Sequence, residues 1–371
     1  MKILLISVFA EQTGWGKAAN LLAEALNSNP KIDLVCRTVY LGTTELWNNT
    51  VIECHKKDLK DCDYCIQLLL PHLMEYSNNF KKCIGMFFNE TNSYKFSSWP
   101  TVLNLMDEVW TPYPSDAHIN SGVKSKHVVI EQPIDTTSTN LTPLPLPTEG
   151  DFVFYTIGEL NKRKNLSTLI KAFYTEFGFH ENVKLLIKAN EPGEKPDDTA
   201  NKILDIVKKV KESLKVTNRY SPEIIITNRM SEEDIIRLHL SCDCFVTTSH
   251  GEAICLPLLD AARVNNFIIA PDFAGTGHVL DLLNAKPWKI HCYESDVFGV
   301  MNTFGDLFTA RETWAEIDII HLRNLMREAY NQWNDGYSPS YTQNLVKHFS
   351  YNAISNKIIK ALSDNTNIDN T

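Results

Sequence analysis

Glu252 and Asp260 stand eight positions apart in SHGEAICLPLLDAA (249–262). The run before them, DCFVTT (243–248), reads as a buried strand, and Pro257 suits the first turn of a helix, where its missing N–H costs nothing. One carboxylate then occupies a strand-to-helix turn, and the other lies two turns further on. A carboxylate in such a turn can hold sugar hydroxyls. Backbone N–H groups at the helix start can hold a phosphate. A nucleotide-sugar needs both contacts at about that separation. A solvated turn and a surface helix would show the same two acids, so the pair takes its meaning from other residues.

Three further constellations supply that company. In GELNKRKNLSTLIKAF (158–173), Arg163 and Lys164 come between a strand and a helix whose N-cap is expected at Asn165. A guanidinium fork, a point charge and helix N–H groups converge there, a strong site for a diphosphate. In GWGKAA (14–19), Gly14 and Gly16 follow the first strand and open the first helix. The spacing is that of a dinucleotide fingerprint, but the glycines come six residues after the strand, and the second strand offers no acid for a ribose. The alternative is a loop whose backbone approaches a ligand closely. LPHLMEY (70–76) and FFNET (87–91) each follow an apolar strand, which puts His72 and Glu90 near the carboxyl edge of a sheet.

Short β-rich runs alternate with helical patterns in two blocks. The first block offers strands at 2–8, 33–40, 64–70, 83–88, 108–111 and 127–131, with a clear helix at 17–27. TTSTNLTPLPLPTEG (136–150), rich in Pro and Thr and without periodicity, reads as a linker in which nothing packs or pairs regularly. Strands at 152–157, 183–188, 222–227, 243–248 and 266–270 then alternate with helices at 166–177, 198–214, 231–240 and 256–264. Ser231 and Asp234 resemble a capping box. The segment 317–363 reads as helical throughout. Such alternation implies an α/β protein with two doubly wound, Rossmann-like parallel sheets facing a cleft. The expected divisions are an N-terminal domain 1–137, a linker 138–149, a C-terminal domain 150–345, and a helix and tail 346–371 that could cross back to the first domain.

The order and spacing of these motifs resemble a family-4 retaining glycosyltransferase of the GT-B fold. The parts are the Gly14/Gly16 loop, MDEVWTPYPSDAHINSGV (106–123) ahead of Pro133-Ile134-Asp135, the GELNKRKN loop, and the acid–x7–acid segment. The resemblance implies a nucleotide-diphosphate sugar, UDP- or GDP-linked, bound mainly by the C-terminal domain. A glycan or lipid-linked acceptor would be bound mainly by the N-terminal one, as in polysaccharide biosynthesis. It implies a hexosyltransferase with no metal requirement and no cofactor, the nucleotide-sugar being a substrate. Gly14, Gly16, Arg163, Lys164, Glu252, Ala253, Ile254, Cys255 and Asp260 would bind the donor: Arg163 and Lys164 its diphosphate, Glu252 the sugar hydroxyls, Asp260 the ribose. His72, Glu90 and Glu252 are the candidate catalytic residues. Three positions depart from the family pattern. The second acid, usually Glu, is Asp260. Ala253 and Cys255 replace common glycines. Glu159 stands where many members have Arg, so Arg163 must supply that charge. A sugar-nucleotide epimerase on the same fold, or a non-catalytic nucleotide-sugar-binding subunit, are the alternatives.

Composition narrows the classes. The chain has 371 residues, is 43% hydrophobic and carries a net charge of −9, which leaves no basic surface for nucleic acid and at most peripheral membrane association. There is no run of about 18 apolar residues, so no transmembrane helix is expected. MKILLISVFAEQTG reads as a first strand running into a loop rather than a signal peptide. Most of the nine cysteines sit in apolar runs, as reduced core thiols of a cytoplasmic protein do. Cys62 and Cys65 form a CxxC, but no second CxxC or His pair follows and no metal is expected.

Overall fold

The computed structural model describes residues 1–42, 45–148, 150–214, 220–298, 300 and 307–364. Glu149, at the end of the expected linker, and 365–371 of the expected tail lie outside them. The chain divides into two compact units. Among the described residues, the first holds 1–136, 307–312 and 344–364, and the second 137–300 and 313–343.

In the first unit the strands are β1 (Lys2–Ser7), β2 (Asp33–Thr38), β3 (Tyr64–Leu68), β4 (Lys82–Met86), β5 (Glu108–Thr111) and β6 (Lys126–Val129), joined by helices α1 (Gly14–Asn27), α2 (Asn49–His55), α3 (Trp99–Leu103) and α4 (Ala117–Asn120). The sheet order is β2-β1-β3-β4-β5-β6, every pair parallel. Its strands are near-continuous apolar runs because helices cover both faces; Leu4, Cys65, Cys83 and Val109 share one core with Trp99 and Leu103. The order reverses between β1 and β3, the switch point at which ligands of such sheets bind.

The second unit contains β7 (Phe152–Glu159), β8 (Val183–Asn190), β9 (Ile224–Ile226), β10 (Cys244–Val246), β11 (Phe267–Pro271) and β12 (Lys289–Ile290). Helices α5 (Leu166–Glu176), α6 (Pro196–Leu214), α7 (Glu232–Leu240), α8 (Leu256–Arg263) and α9 (Ala274–Leu282) connect them. A hairpin, β13 (Cys292–Asp296) with β14 (Thr313–Ile317), and α10 (Ile319–Asn334) follow. The sheet order is β12-β11-β10-β7-β8-β9, again parallel, with its reversal between β7 and β10. Ser231 caps α7 as expected, its Oγ accepting from Asp234 N at 3.1 Å.

The C-terminal segment is helical but broken. Its first residue, Ile317, ends β14, α10 stops at Asp335-Gly336 with the glycine at φ +79°, and α11 (Thr342–Phe349) and α12 (Tyr351–Ser363) are separated by Ser350. That serine caps α12 through Ala353 N at 3.2 Å. The helix α12 packs on α1 in the first unit: Tyr351 donates to Glu24 at 2.6 Å, and Asn29 donates to Ser355 at 3.1 Å.

Residues 137–148, where no regular pairing is expected, form no helix or strand and are held irregularly by the second unit. Thr137 O accepts from Arg263, Thr142 O accepts from Arg237 Nε at 3.0 Å, and Leu144 N donates to Ser241 Oγ at 2.6 Å. An irregular segment still has backbone donors and acceptors to satisfy, and side chains at the ends of α7 and α8 meet them. No helix among the described residues is long and apolar enough to cross a membrane, and no three His, Cys, Asp or Glu among them are grouped to hold a metal ion.

The base of the second sheet contains a titratable anchor. Asp243, just before β10, accepts from Val153 N at 2.8 Å, and burial pushes its carboxyl up to about 6. A carboxyl raised in the folded state favours folding while protonated, and that benefit is lost as pH rises from about 4 through 6. Asp243→Asn keeps the acceptor oxygen. It should therefore raise unfolding free energy by about 1–2 kcal/mol at pH 7.5 and give no gain at pH 4. Urea melts at the two pH values check this, and an equal effect at both would contradict it.

Candidate functional site

The two constellations of the second half meet at one sheet edge. β7 and β10 are hydrogen-bonded neighbours at the switch point, and each ends in a loop leading to a helix. The loop after β7 carries Arg163 and Lys164; the loop after β10 carries Glu252. The Glu252 Oε1 atom accepts from Lys164 Nζ at 2.5 Å and Ser249 Oγ at 2.7 Å, and lies 3.0 Å from Arg163 Nη1. The Glu252 residue is only 7% exposed. Burial alone would raise its carboxyl, but the two cations and the hydrogen bonds from Lys164 and Ser249 outweigh it and bring it down to about 2. It is ionised at any working pH.

The loop bearing Glu252 is fixed from both sides. Toward β7, His250 N donates to Arg163 O at 2.8 Å, Ser249 Oγ to the same carbonyl at 3.1 Å, and Thr248 Oγ1 to Asn165 O at 2.9 Å. Arg163 Nη1 returns a bond to Gly251 O at 2.6 Å. Toward β14, the His250 ring stacks on Trp314 at 4.5 Å and 15°, and its Nδ1 donates to Ala315 O at 2.6 Å. Gly275, in the first turn of α9, donates its N–H to Glu252 O at 2.8 Å; a Cβ there would lie 2.0 Å from Ala253 O. Sequence reasoning did not single out Ser249, His250, Trp314 or Gly275. Only Ser249, three residues before Glu252, gave a local signal.

Ala253, Ile254 and Cys255 are buried and lead into α8, whose N-cap is Cys255 at φ 56°. That left-handed backbone is one that glycine adopts without strain and cysteine does not. Burial pushes the Cys255 thiol up to about 12, with the Glu252 charge adding to it, so the sulfur stays protonated. Asp260, in the second turn of α8, is 6% exposed. It lies close enough to Tyr155 on β7 for its charge to add to the burial that raises that phenol. Asn165 does occupy the N-cap of α5, but at φ 50° and without a side-chain capping bond. Its Oδ1 instead accepts from Thr168 Oγ1 at 2.9 Å.

In the first unit, the loops after β1 and β3 flank the switch point. The first leads into α1, whose opening turn holds Gly14 and Gly16; the second carries His72. Gly16 is required by a close approach: a Cβ would stand 1.7 Å from Glu11 O, whereas one on Gly14 would meet nothing within 4 Å. Thr13 caps α1, accepting from Gly16 N at 3.4 Å, and Trp15 lies against Phe88 with ring centroids 4.5 Å apart. His72 is exposed in a single 3-10 turn, Pro71–Leu73; Met74 is extended and 75–77 are irregular, not helical. Glu90, four residues beyond β4, is half-buried. Both stand beyond the carboxyl ends of neighbouring strands.

Known proteins agree with this architecture. Among curated proteins none matches the chain. Solved structures do match over nearly its full length. Sucrose-phosphate synthase from Thermosynechococcus elongatus is 14% identical with a TM-score of 0.64, covering 97% of this chain and 98% of its own. An E. coli trehalose-6-phosphate structure bound with UDP-2-fluoro glucose is 9% identical, TM-score 0.62, covering 98% and 99%. Anabaena Alr3699/HepE in complex with UDP and glucose is 15% identical, TM-score 0.58, covering 98% and 99%. At these identities the likeness is one of fold, the two-sheet α/β architecture of the GT-B glycosyltransferases. Residues 143–284 match the family described as glycosyl transferases group 1, and that segment contains Arg163, Lys164, Glu252 and Asp260.

Proposed function

We infer that the protein is a family-4 retaining glycosyltransferase. It moves a hexose from a UDP- or GDP-linked donor to a hydroxyl of a glycan or lipid-linked acceptor. The observation that carries this reading is the buried Glu252 carboxylate clamped by Arg163 and Lys164 where β7 and β10 diverge. A carboxylate held ionised in a dry turn accepts hydrogen bonds from sugar hydroxyls, and the two cations beside it favour a diphosphate.

The chemistry is electrostatic. As the bond to the anomeric carbon breaks, negative charge grows on the departing diphosphate. Arg163, Lys164 and the N–H groups of Ala253, Ile254 and Cys255, in the turn leading into α8, stabilise it. In a front-face mechanism the leaving phosphate oxygen takes the acceptor's proton, so retention needs no protein nucleophile, and the protein cations do the work a metal would do. Asp260 holds the ribose. Gly14 and Gly16 are assigned to donor binding, and His72 and Glu90 to the transferring sugar or the acceptor. The UDP and UDP-sugar ligands of two structurally similar proteins support a nucleotide-sugar donor.

Hydrolysis of a panel of UDP- and GDP-sugars by purified protein tests the donor class, and no turnover or binding of any member would overturn it. Lys164→Ala should weaken binding of the matching nucleoside diphosphate by about 2 kcal/mol, roughly thirtyfold, the loss of one charged hydrogen bond. Unchanged affinity by calorimetry would remove Lys164 from the diphosphate site.

A further inference from the structure

Lys188 lies in the apolar run of β8 and is 4% exposed, yet among the described residues its ammonium has no hydrogen bond and no ion pair. Its register partners are Ile157 on β7 and Ile226 on β9. Burial lowers its basicity. A largely buried cation without a protein acceptor is unfavourable to keep, and packing alone would be served better by Leu or Met. Lysine has three donors and no acceptor, so what meets this side chain must supply oxygen or nitrogen lone pairs. Lys188 stands two residues before the carboxyl end of its strand, the end at which ligands of such sheets bind.

Its place along that edge says which part of a ligand arrives. This step rests on the donor reading above. Glu252, the sugar-holding group, follows β10. Arg163 and Lys164 follow β7, the next strand, and Asp260 lies near Tyr155 of β7. The donor thus runs from β10 across β7, sugar first, diphosphate and ribose next. β8 is the following strand, about 4.8 Å further on. The remaining part of a nucleotide-sugar is the base. The phosphates already have their cations one strand away, so the acceptor that reaches Lys188 is a base heteroatom.

We propose that Lys188 reads the nucleobase, donating to the O4 oxygen of uracil or the O6 oxygen of guanine, and so selects uracil over cytosine, or guanine over adenine. In each pair the unselected base carries an amino group where the selected one carries the oxygen. An amino group would face the ammonium donor to donor, leaving both unpaired in a buried site, the arrangement that gives strong discrimination.

The test is calorimetric binding of UDP, CDP, GDP and ADP to the full chain and to Lys188→Met, which keeps the volume and removes the donors. The wild type should prefer UDP over CDP, or GDP over ADP, by tenfold or more. Lys188→Met should lose about tenfold for the preferred member, change little for the other, and show an unchanged or higher Tm. Equal loss for all four would make Lys188 a phosphate or folding residue and overturn the proposal. So would a preference that survives the substitution. A wild type that binds members of a pair equally would overturn it without any variant. If the wild type binds none of the four, the donor reading itself has failed; if it binds them and the base ratio is unaffected by the substitution, only the role of Lys188 has.

Discussion

Glu252→Gln should lower turnover on the productive sugar nucleotide by about a hundredfold or more, near 2.7 kcal/mol of transition-state stabilisation, while free nucleoside diphosphate binds at least as well as before. The neutral amide keeps the size of the side chain and one acceptor oxygen for Ser249 and Lys164. What it removes is the charge that compensates Arg163 and Lys164. A more positive pocket holds a diphosphate no less tightly, but the hydrogen bonds to sugar hydroxyls lose their ionised partner. Steady-state kinetics beside calorimetry with UDP or GDP separates the two effects. A fall in nucleotide affinity equal to the fall in turnover would make Glu252 a loop anchor rather than a sugar-binding group. Its ionisation also has a sign. With the folded value near 2, below the ordinary 4.5, the stability it contributes, about 3 kcal/mol, is fully present above pH 4.5 and is lost as pH falls toward 2. An acid limb in activity between pH 5 and 7 would therefore belong to another group.

Gly275→Ala should destabilise the second unit by about 3 kcal/mol, the upper range for overpacking, and lower its Tm by roughly 5–10 °C. The atoms in the way are the Ala253 and Glu252 carbonyl oxygens, at 2.0 and 2.8 Å from the new Cβ. They are backbone and cannot rotate aside as a flexible side chain would. Relief requires the loop 251–255 to move, which also lengthens the Gly275–Glu252 hydrogen bond and displaces Glu252 from its two cations. Stability and activity should fall together, in contrast to Glu252→Gln. A variant that melts like the wild type would show that α9 can shift independently of the loop.

The strands of both sheets were legible wherever the run was long and apolar. FVFYTI and KILLIS are hydrophobic at nearly every position, as strands covered on both faces must be. The two-residue β12 and the β13–β14 hairpin were not legible, since a bare Lys-Ile and a run such as CYESD carry no periodicity. Arg163 and Lys164 were readable as a cationic pair before a helix. That their partner would be Glu252, 88 residues beyond Lys164, was not. The pairing depends on β10 lying beside β7, and strand order leaves no local mark. Trp314 is hidden for the same reason: its stacking on His250 arises from tertiary packing alone. For residues 137–148, Pro and Thr reported the absence of regular structure, but not which side chains of the second unit would hold the segment. Lys188 was not singled out within the expected strand 183–188, because its burial without a partner appears only in the folded chain.

The return of α12 to α1 has a consequence for the order of synthesis. Residues 137–343 are made, and can pack their own sheet, before the ribosome reaches 344–364. The first unit is begun earlier and finished later. Until α12 emerges, Glu24 and Asn29 lack Tyr351 and Ser355, and Glu131 lacks Lys357, its ion-pair partner at 2.6 Å. Domains usually fold in the order they leave the ribosome; here the second completes first, and the first waits with one helix face uncovered. A chimera that exchanges the first unit at a single junction near 136 would inherit that incomplete state permanently, so an exchange has to carry 344–364 along with 1–136.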